Sequence, residues 1–277
     1  MPAPRLNAKT LAYLLKQTLI SAVDDGCFAE AKGAAYSAML AFFPVLTSFA
    51  TVLVQTRAEF VSGAIAQFLF DVVPPGTEDI VRRPFEIKAA QPLFLISVAA
   101  VLALWAAAGV IKSLMTGFNT TYRVPRSRTF WQESGVAILL VLWTIAPLIA
   151  ASLLIVFGNW IDRRLTGAPA FWWRVLSQTA RYLLAFAATV IITAVLYYFG
   201  PYRKQRWTYV WRGAVFATVL WLLATAGFAW YVRNLATYNV LYGSLWTGIA
   251  LLVWMYLIAA IALIGCAFNA EYERMAE

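Results

Sequence analysis

The sequence predicts an all-α integral membrane protein: a bundle of six transmembrane helices with amphipathic flanking helices. Of its 277 residues, 62% are apolar and only 13% are charged, about half the charged fraction of an average soluble domain. The apolar residues form long uncharged runs. Many Trp, Tyr and Phe residues lie near the ends of these runs, where amphipathic rings settle at a bilayer interface.

Six runs are long enough to cross a hydrocarbon core, which requires about 20 mostly apolar residues. We predict spans at about 33–56, 92–114, 135–157, 182–200, 213–232 and 240–270. Lys112 is the one charged residue inside them, and it is close enough to an end to reach water. The chain then divides into an N-terminal segment (1–32), a transmembrane domain (33–270) and a short tail (271–277).

The distribution of basic residues predicts the orientation. With the N-terminus inside, thirteen of the 22 Lys and Arg residues fall on the cytoplasmic side, so we expect both termini in the cytoplasm of a bacterial inner membrane. Basic and aromatic residues alternate in the connection 202–212, as they would in a platform for single-stranded nucleic acid. Positive-inside charge and an interfacial aromatic belt explain this pattern, so the expected partners are anionic lipid headgroups and not nucleic acid.

Two segments outside the spans have apolar residues at helical spacing. The first comprises Leu11, Leu14, Leu15, Thr18, Leu19 and Ala22, and the second lies within 60–72. Each could lie in the plane of the membrane interface or pack onto the helix bundle, and the pattern does not choose between the two.

Two predicted spans contain a proline near the middle, Pro44 and Pro147. Each frees the carbonyl four residues earlier, at Leu40 and Trp143, and that carbonyl needs another partner or a wet cavity. Such breaks line substrate sites in transporters, although a simple packing kink is the more common outcome.

The last span begins with Tyr242, Gly243 and Ser244, and small residues recur there at a spacing of four (Gly243 with Thr247, Ser244 with Gly248). This spacing permits close approach of two helices. Packing within the bundle is the favoured interpretation, and a homo-oligomer interface is the alternative.

Polar residues follow two of the spans at the same predicted membrane face. These are Asn119, Tyr122 and Arg123 after the second span, and Asn269, Glu271 and Glu273 after the last. A carboxylate and an arginine at this face could pair or gate a pathway, or they could be solvated helix ends. The chain has no histidine, and no motif for catalysis, a metal or a cofactor is recognisable, so we expect no enzyme and none of these ligands.

Several stretches in order are similar to the YihY/virulence factor BrkB family, once labelled ribonuclease BN. They are Ala35-Tyr36 with Pro44, Gly109 with Asn119-Thr120-Thr121-Tyr122, Tyr242-Gly243-Ser244, and Gly265 with Asn269-Ala270-Glu271. The family usually carries an acidic residue two positions before the terminal asparagine, where this chain has Ala267. The resemblance implies a six-helix inner-membrane protein with envelope or transport roles.

We therefore expect a transporter or a lipid- or amphiphile-handling membrane protein with an envelope role. A polar cavity would lie between the first, third and sixth spans, near Pro44 and Pro147. The alternative is a non-catalytic scaffold that recruits partners for envelope biogenesis. Ribonuclease activity fits badly, because the chain lacks histidine and has few carboxylates outside interface positions, so no site for metal-dependent or acid–base cleavage of RNA is recognisable.

Overall fold

The computed structural model describes residues 7–55, 93–125, 128–144, 171–234 and 244–276. Seven α-helices and no strands lie in these ranges. They are α1 (Ala8–Asp24), α2 (Cys27–Gln55), α3 (Leu93–Thr121), α4 (Phe130–Thr144), α5 (Phe171–Phe199), α6 (Trp207–Asn234) and α7 (Ser244–Arg274).

Four helices are long and apolar enough to cross a membrane, judged on the described residues. These segments are Ser97–Thr121, Tyr182–Phe199, Trp207–Val232 and Trp246–Arg274. α4 is apolar but shorter, and the rest of the predicted span 135–157 lies outside the described residues. α2 is helical throughout the described part of the predicted first span. An α-helical membrane protein is therefore established, and a total of six spans stays a prediction.

The helices extend beyond the predicted spans. α2 begins at Cys27 and not near residue 33, and α5 begins at Phe171 and not at residue 182. Backbone hydrogen bonding continues through polar residues such as Glu30 and Lys32, so the end of an apolar run does not end a helix. The helical turns before residues 33 and 182 therefore extend α2 and α5 beyond the predicted hydrocarbon boundary.

Small residues let the helices pack closely. α3 packs along α2, while α7 contacts α2, α3, α6 and α1, and α5 packs on α6. The main core includes twelve buried alanines, among them Ala31, Ala108, Ala217 and Ala260. Large side chains such as Trp105 and Leu139 point outward, as expected where lipid surrounds the bundle.

α1 packs onto the bundle through one face. Leu14, Thr18 and Ala22 are fully buried, whereas Leu19 and Val23 are exposed. Of the two interpretations of this segment, packing therefore applies to the face centred on Leu14, and an apolar stripe remains on the other side. The second amphipathic segment, 60–72, lies outside the described residues.

Two left-handed residues shape the connections at one end of the bundle. Gly26 (φ 69°) separates α1 from α2. Arg123 (φ 52°) follows α3, where its N–H donates to Thr120 O and the N–H of Val124 donates to Asn119 O. This pair of bonds is a Schellman motif, in which the left-handed position is normally glycine. An arginine held there carries backbone strain.

Candidate functional site at the polar end of the bundle

Six segments meet at one end of the bundle, which we call the polar end. They are the end of α1 with the turn 24–27, the end of α3 with residues 122–125, the start of α4, the loop 200–206, the start of α6, and the end of α7. Contacts between these segments define the end, for example Arg128 with Gly200 and Arg274 with Thr121. The connections predicted on the cytoplasmic side by sequence are therefore brought together.

Asn269 joins α7 to α6 in the buried part of this end. Its side chain is fully buried; Oδ1 accepts a hydrogen bond of 2.7 Å from the N–H of Gly213, and Nδ2 donates to Val210 O at 3.2 Å. A Cβ at position 213 would overlap the Asn269 amide. Glycine is thus required at this contact between α7 and α6.

Glu271 ties α7 to α1 and α3. Its Oε1 accepts a 2.6 Å hydrogen bond from Ser21 Oγ and pairs with Arg274. The second terminal nitrogen of Arg274 donates to Thr121 O at 3.1 Å, which satisfies a carbonyl in the last turn of α3. Three helix ends are fixed by one carboxylate and one guanidinium.

Glu273 pairs with Arg203 from the loop between α5 and α6, at 2.8 Å between Oε1 and the guanidinium. The same guanidinium stacks over the ring of Tyr122, 4.8 Å from its centroid. Burial raises the pKa of Tyr122 well above its ordinary value, although the charge of Arg203 acts in the opposite direction. Tyr122 is therefore a neutral phenol at physiological pH and contributes an aromatic face and a hydroxyl.

Arg128 and Asn119 hold the start of the same loop. Arg128 donates to the carbonyls of Phe199, Gly200 and Pro201 at 2.9, 2.6 and 3.3 Å, where a cation suits the C-terminus of α5. Asn119 Oδ1 accepts a 2.7 Å bond from the N–H of Tyr202. The loop is thereby attached to α3 and to the segment before α4.

A cavity of about 770 Å³ opens beside this network. It lies between the α1–α2 turn, the end of α3 and the start of α4. Its lining residues are Asp24, Asp25, Gly26, Thr116, Asn119, Thr120, Arg123, Val124 and Glu133. Arg123 Nε lies 3.5 Å from Asp25 Oδ1, so the strained Arg123 forms one wall with its ion pair. Within the described ranges, no group of three or more Cys, Asp or Glu side chains is placed to hold a metal ion.

The geometry of this end can be set beside known proteins. The family profile described as virulence factor BrkB matches residues 19–277. This chain belongs to the BrkB family. It is 28% identical over 241 residues to the ribonuclease-like protein YfkH of Bacillus subtilis (strain 168), covering 85% of this chain and 86% of the relative.

Two further relatives of this BrkB-family chain are UPF0761 membrane proteins. The one from Alteromonas mediterranea is 26% identical over 254 residues (89% of this chain, 83% of the relative). The one from Vibrio campbellii is 27% identical over 266 residues (93% and 80%). The family is one of membrane proteins and not a defined enzyme family. No solved structure matches the chain.

The polar end unites five of the residues singled out from the sequence of this BrkB-family protein: Asn119, Tyr122, Arg123, Asn269 and Glu271. Arginines and carboxylates do pair here. Arg123, however, pairs with Asp25 of the α1–α2 turn and not with the carboxylates at the end of α7. Those carboxylates pair with Arg203 and Arg274.

The other predicted site residues lie elsewhere. Tyr36 is exposed on α2 and does not line the cavity. α2 runs on past Pro44, so this proline does not end the helix. Ser244 begins α7, at the opposite end of that helix from Asn269. Pro147, Tyr242 and Gly243 lie outside the described residues, so a cavity between the spans at the two prolines stays a prediction.

Gly248 and Ala267 each differ from what the sequence and the family resemblance lead one to expect. A Cβ added at Gly248 would meet no atom of the described residues within 4 Å, so this small residue makes no close helix contact with the described part of the bundle. Ala267, where the BrkB resemblance leads one to expect an acid, is fully buried in the main apolar core. A carboxylate there would need a partner, and alanine removes that need.

Sequence reasoning missed Ser21, Asp25, Gly213, Arg203 and Arg274 as members of this end. The charge pattern of 202–212 predicts only a positive-inside role for Arg203. Asp25 falls in the N-terminal segment 1–32, where no pattern predicts a role for it. For Gly213, the available signal in the sequence was a glycine about two turns into a helix. Its meaning depends on Asn269, which lies 56 positions away along the chain.

Proposed function

We propose that this BrkB-family protein handles lipids or other amphiphiles at the bacterial inner membrane, moving them or holding them at its polar end. The observation that carries the proposal is the polar cavity of about 770 Å³ at the end of apolar, membrane-length helices. A molecule with a polar head and an apolar tail fits a polar cavity beside a lipid-facing surface.

The start of α4 presents both kinds of surface. Glu133 lines the cavity, while Phe130 and Trp131, one turn earlier, are 65% and 81% exposed. The Lys112 ammonium lies 4.4 Å from the centroid of the Phe130 ring, close to the polar end of α3. Aromatic rings and a lysine at such a boundary are typical of residues at the lipid headgroup level. The cavity therefore opens where headgroups would lie.

The charge pattern favours amphiphiles over small ions. No Asp or Glu falls inside the predicted spans, so the sequence offers no carboxylate relay across the bilayer centre. At the polar end, Glu271 and Glu273 are engaged by arginines. We assign no enzymatic reaction to this arrangement, including the ribonuclease activity in the name of one relative.

In this proposal the polar end of the bundle faces the cytoplasm. With the N-terminus inside, thirteen of the 22 basic residues fall on the cytoplasmic side, among them Arg123, Arg128, Arg203 and Arg274 of the polar end, and this side of a membrane protein is normally the basic one. Anionic headgroups of the inner leaflet would then face exposed cations such as Arg123, whose side chain is 67% exposed.

The test is lipid movement in proteoliposomes. Purified protein is reconstituted with fluorescently head-labelled phospholipid, and the fraction quenched by an impermeant reductant is followed over time. We expect faster and more complete quenching than in protein-free vesicles. A quenching curve identical to that of empty vesicles, with no binding of labelled lipid to the protein, would contradict the proposal.

A matched pair of variants links this activity to the cavity. The hydroxyls of Thr116 and Thr189 each donate to the carbonyl four residues earlier, but Thr116 lines the cavity and Thr189 does not. Thr116→Val should slow lipid movement, and Thr189→Val should leave it unchanged. Equal effects of the two substitutions would show that lipid movement does not depend on the cavity.

The second candidate is a membrane scaffold that recruits envelope-biogenesis partners or a second copy of the chain. Its support is Gly248, a small residue on α7 whose Cβ position has no atom of the described chain within 4 Å. Small residues on an open helix face suit contact with another helix. Gly248→Leu should abolish co-purification of such a partner, and unchanged co-purification would remove this candidate.

A further inference from the structure

The cavity at the polar end has more hydrogen-bond acceptors than donors. Of the described residues, three carboxylates line it, from Asp24, Asp25 and Glu133, against one cation, Arg123. Thr116 and Thr120 donate their hydroxyl hydrogens to the carbonyls of Lys112 and Thr116. Because a hydroxyl has one hydrogen, only its lone pairs remain for a ligand. The lining is thus suited to a molecule that donates.

Asp25 has a buried oxygen that lacks a donor. Its side chain is 9% exposed, and Oδ1 takes the single contact with Arg123, at 3.5 Å from Nε. Oδ2 is buried and has no hydrogen-bond partner among the residues that the structure describes. A buried carboxylate oxygen without a partner is costly, because desolvation of the charge is not offset by a bond. Oδ2 is closed to solvent in this structure, and a rotation of the Asp25 carboxylate would bring it to a donor in the cavity.

The site of Asp25 is fixed before any ligand arrives. Its N–H donates to Ser21 O at 2.8 Å, and Gly26 in the left-handed region turns the chain immediately after it. On the opposite wall, the Schellman motif at the end of α3 holds Arg123 in place. The acceptor groups therefore come from rigid helix ends and do not have to be assembled at a cost in conformational entropy.

We propose that this cavity binds a primary ammonium group, with Asp25 as its main acceptor and Asp24 and Glu133 completing the negative charge. An ammonium carries three N–H donors and one positive charge, which matches a lining of carboxylates and hydroxyl lone pairs. Its source is a phospholipid with an amine headgroup or a soluble amine. In the first case the inference rests on the proposed function and names its lipid class.

The test compares headgroups that differ only in N–H donors. The full-length protein is placed in nanodiscs of phosphatidylglycerol containing either phosphatidylethanolamine or phosphatidylcholine, and lipid binding is titrated by native mass spectrometry. We expect the ethanolamine lipid to bind about tenfold more tightly, because the methylated ammonium of choline has no N–H to donate to Asp25. Equal affinity for the two lipids would overturn the proposal.

Three substitutions separate a ligand role of Asp25 from a structural role of its ion pair. Asp25→Asn should weaken binding of the ethanolamine lipid about tenfold, since it removes the charge. Arg123→Met removes the same ion pair but leaves both oxygens of Asp25 free, so binding should stay or tighten. Glu30→Gln, a matched loss of charge in the first turn of α2 outside the cavity, should have no effect. Parallel losses in the Asp25 and Arg123 variants would contradict the assignment.

A second experiment, with soluble amines, identifies the source of the ammonium. Ethanolamine is titrated into nanodiscs of pure phosphatidylglycerol, with choline as control. Binding of ethanolamine, lost in Asp25→Asn, assigns the site to soluble amines; binding of the lipid alone assigns it to headgroups. Absence of both overturns the ammonium site yet leaves lipid movement in proteoliposomes unaffected, so the two proposals fail separately.

Discussion

Asn269 Oδ1 accepts a 2.7 Å hydrogen bond from the backbone N–H of Gly213, and this contact joins the end of α7 to the start of α6. Neither group has access to water, because Asn269 is fully buried. The relationship needs both partners: an amide that can accept and donate, and a residue without a Cβ. This contact fixes α7 against α6 in the buried part of the polar end.

Asn269→Leu should destabilise the protein by about 1–3 kcal/mol, because the Gly213 N–H and the Val210 carbonyl lose their shared partner in a buried place. Thermal unfolding in detergent, followed by light scattering, measures the change. Asn234→Leu is the matched control, since the exposed Asn234 donates to Trp230 O in its own helix. Equal shifts in Tm would show that the Asn269 bonds contribute little.

Gly265→Ala should loosen the packing of α7, since a Cβ there would overlap the hydroxyl of Tyr197 and lie 2.6 Å from the Ala217 Cβ. The expected loss of stability is about 1–3 kcal/mol, the usual cost of overpacking a tight core. Gly248→Ala on the same helix adds a Cβ that meets none of the described residues within 4 Å. It should change Tm little or raise it slightly through better helix propensity, and a drop equal to that of Gly265→Ala would refute the packing argument.

Arg203 and Glu273 should show energetic coupling in a double-mutant cycle. Arg203→Met and Glu273→Gln each break the pair at 2.8 Å. We expect a coupling of about 1 kcal/mol, because the arginine is one-third exposed and solvent screens it. Chemical denaturation of the four proteins in detergent measures it, and additive effects would mean that the pair does not stabilise the polar end.

Cys27 should resist alkylation in the folded protein. Burial raises the pKa of its thiol above the ordinary value, with the charge of Asp25 acting in the same direction, so the reactive thiolate is scarce at pH 8. Cys266 is also buried. Maleimide labelling should be slow at pH 8, rise only at more alkaline pH, and become fast in denaturant. An added cysteine at exposed position 234 is the reactive control, and rapid labelling of native Cys27 would contradict its buried position.

The membrane class and the location of the polar residues could be predicted from the sequence, because both depend on local composition. Runs without charge become helices in lipid, and the ends of those runs carry the groups that need water. Asn119, Tyr122, Asn269 and Glu271 were predicted at one face for this reason, and contacts at that end connect them.

The pairing within the polar end could not be predicted in the same way. Which carboxylate meets Arg123 depends on the rotation of each helix about its axis, and Asp25 reaches it because Gly26 turns the chain there. The left-handed Arg123 gave no signal, since sequence marks such positions mainly through glycine. Helix starts were missed at Cys27 and Phe171, where polar residues continue a helix beyond its apolar run.

The most direct test of the central claim is a cryo-EM map of the protein in nanodiscs made with and without phosphatidylethanolamine. The account predicts a headgroup density in the cavity between Asp25, Thr116 and Glu133, with an acyl tail passing the exposed ring of Trp131, in the phosphatidylethanolamine sample. A cavity filled only by water in both samples, with lipids confined to the outer surface of the bundle, would contradict it.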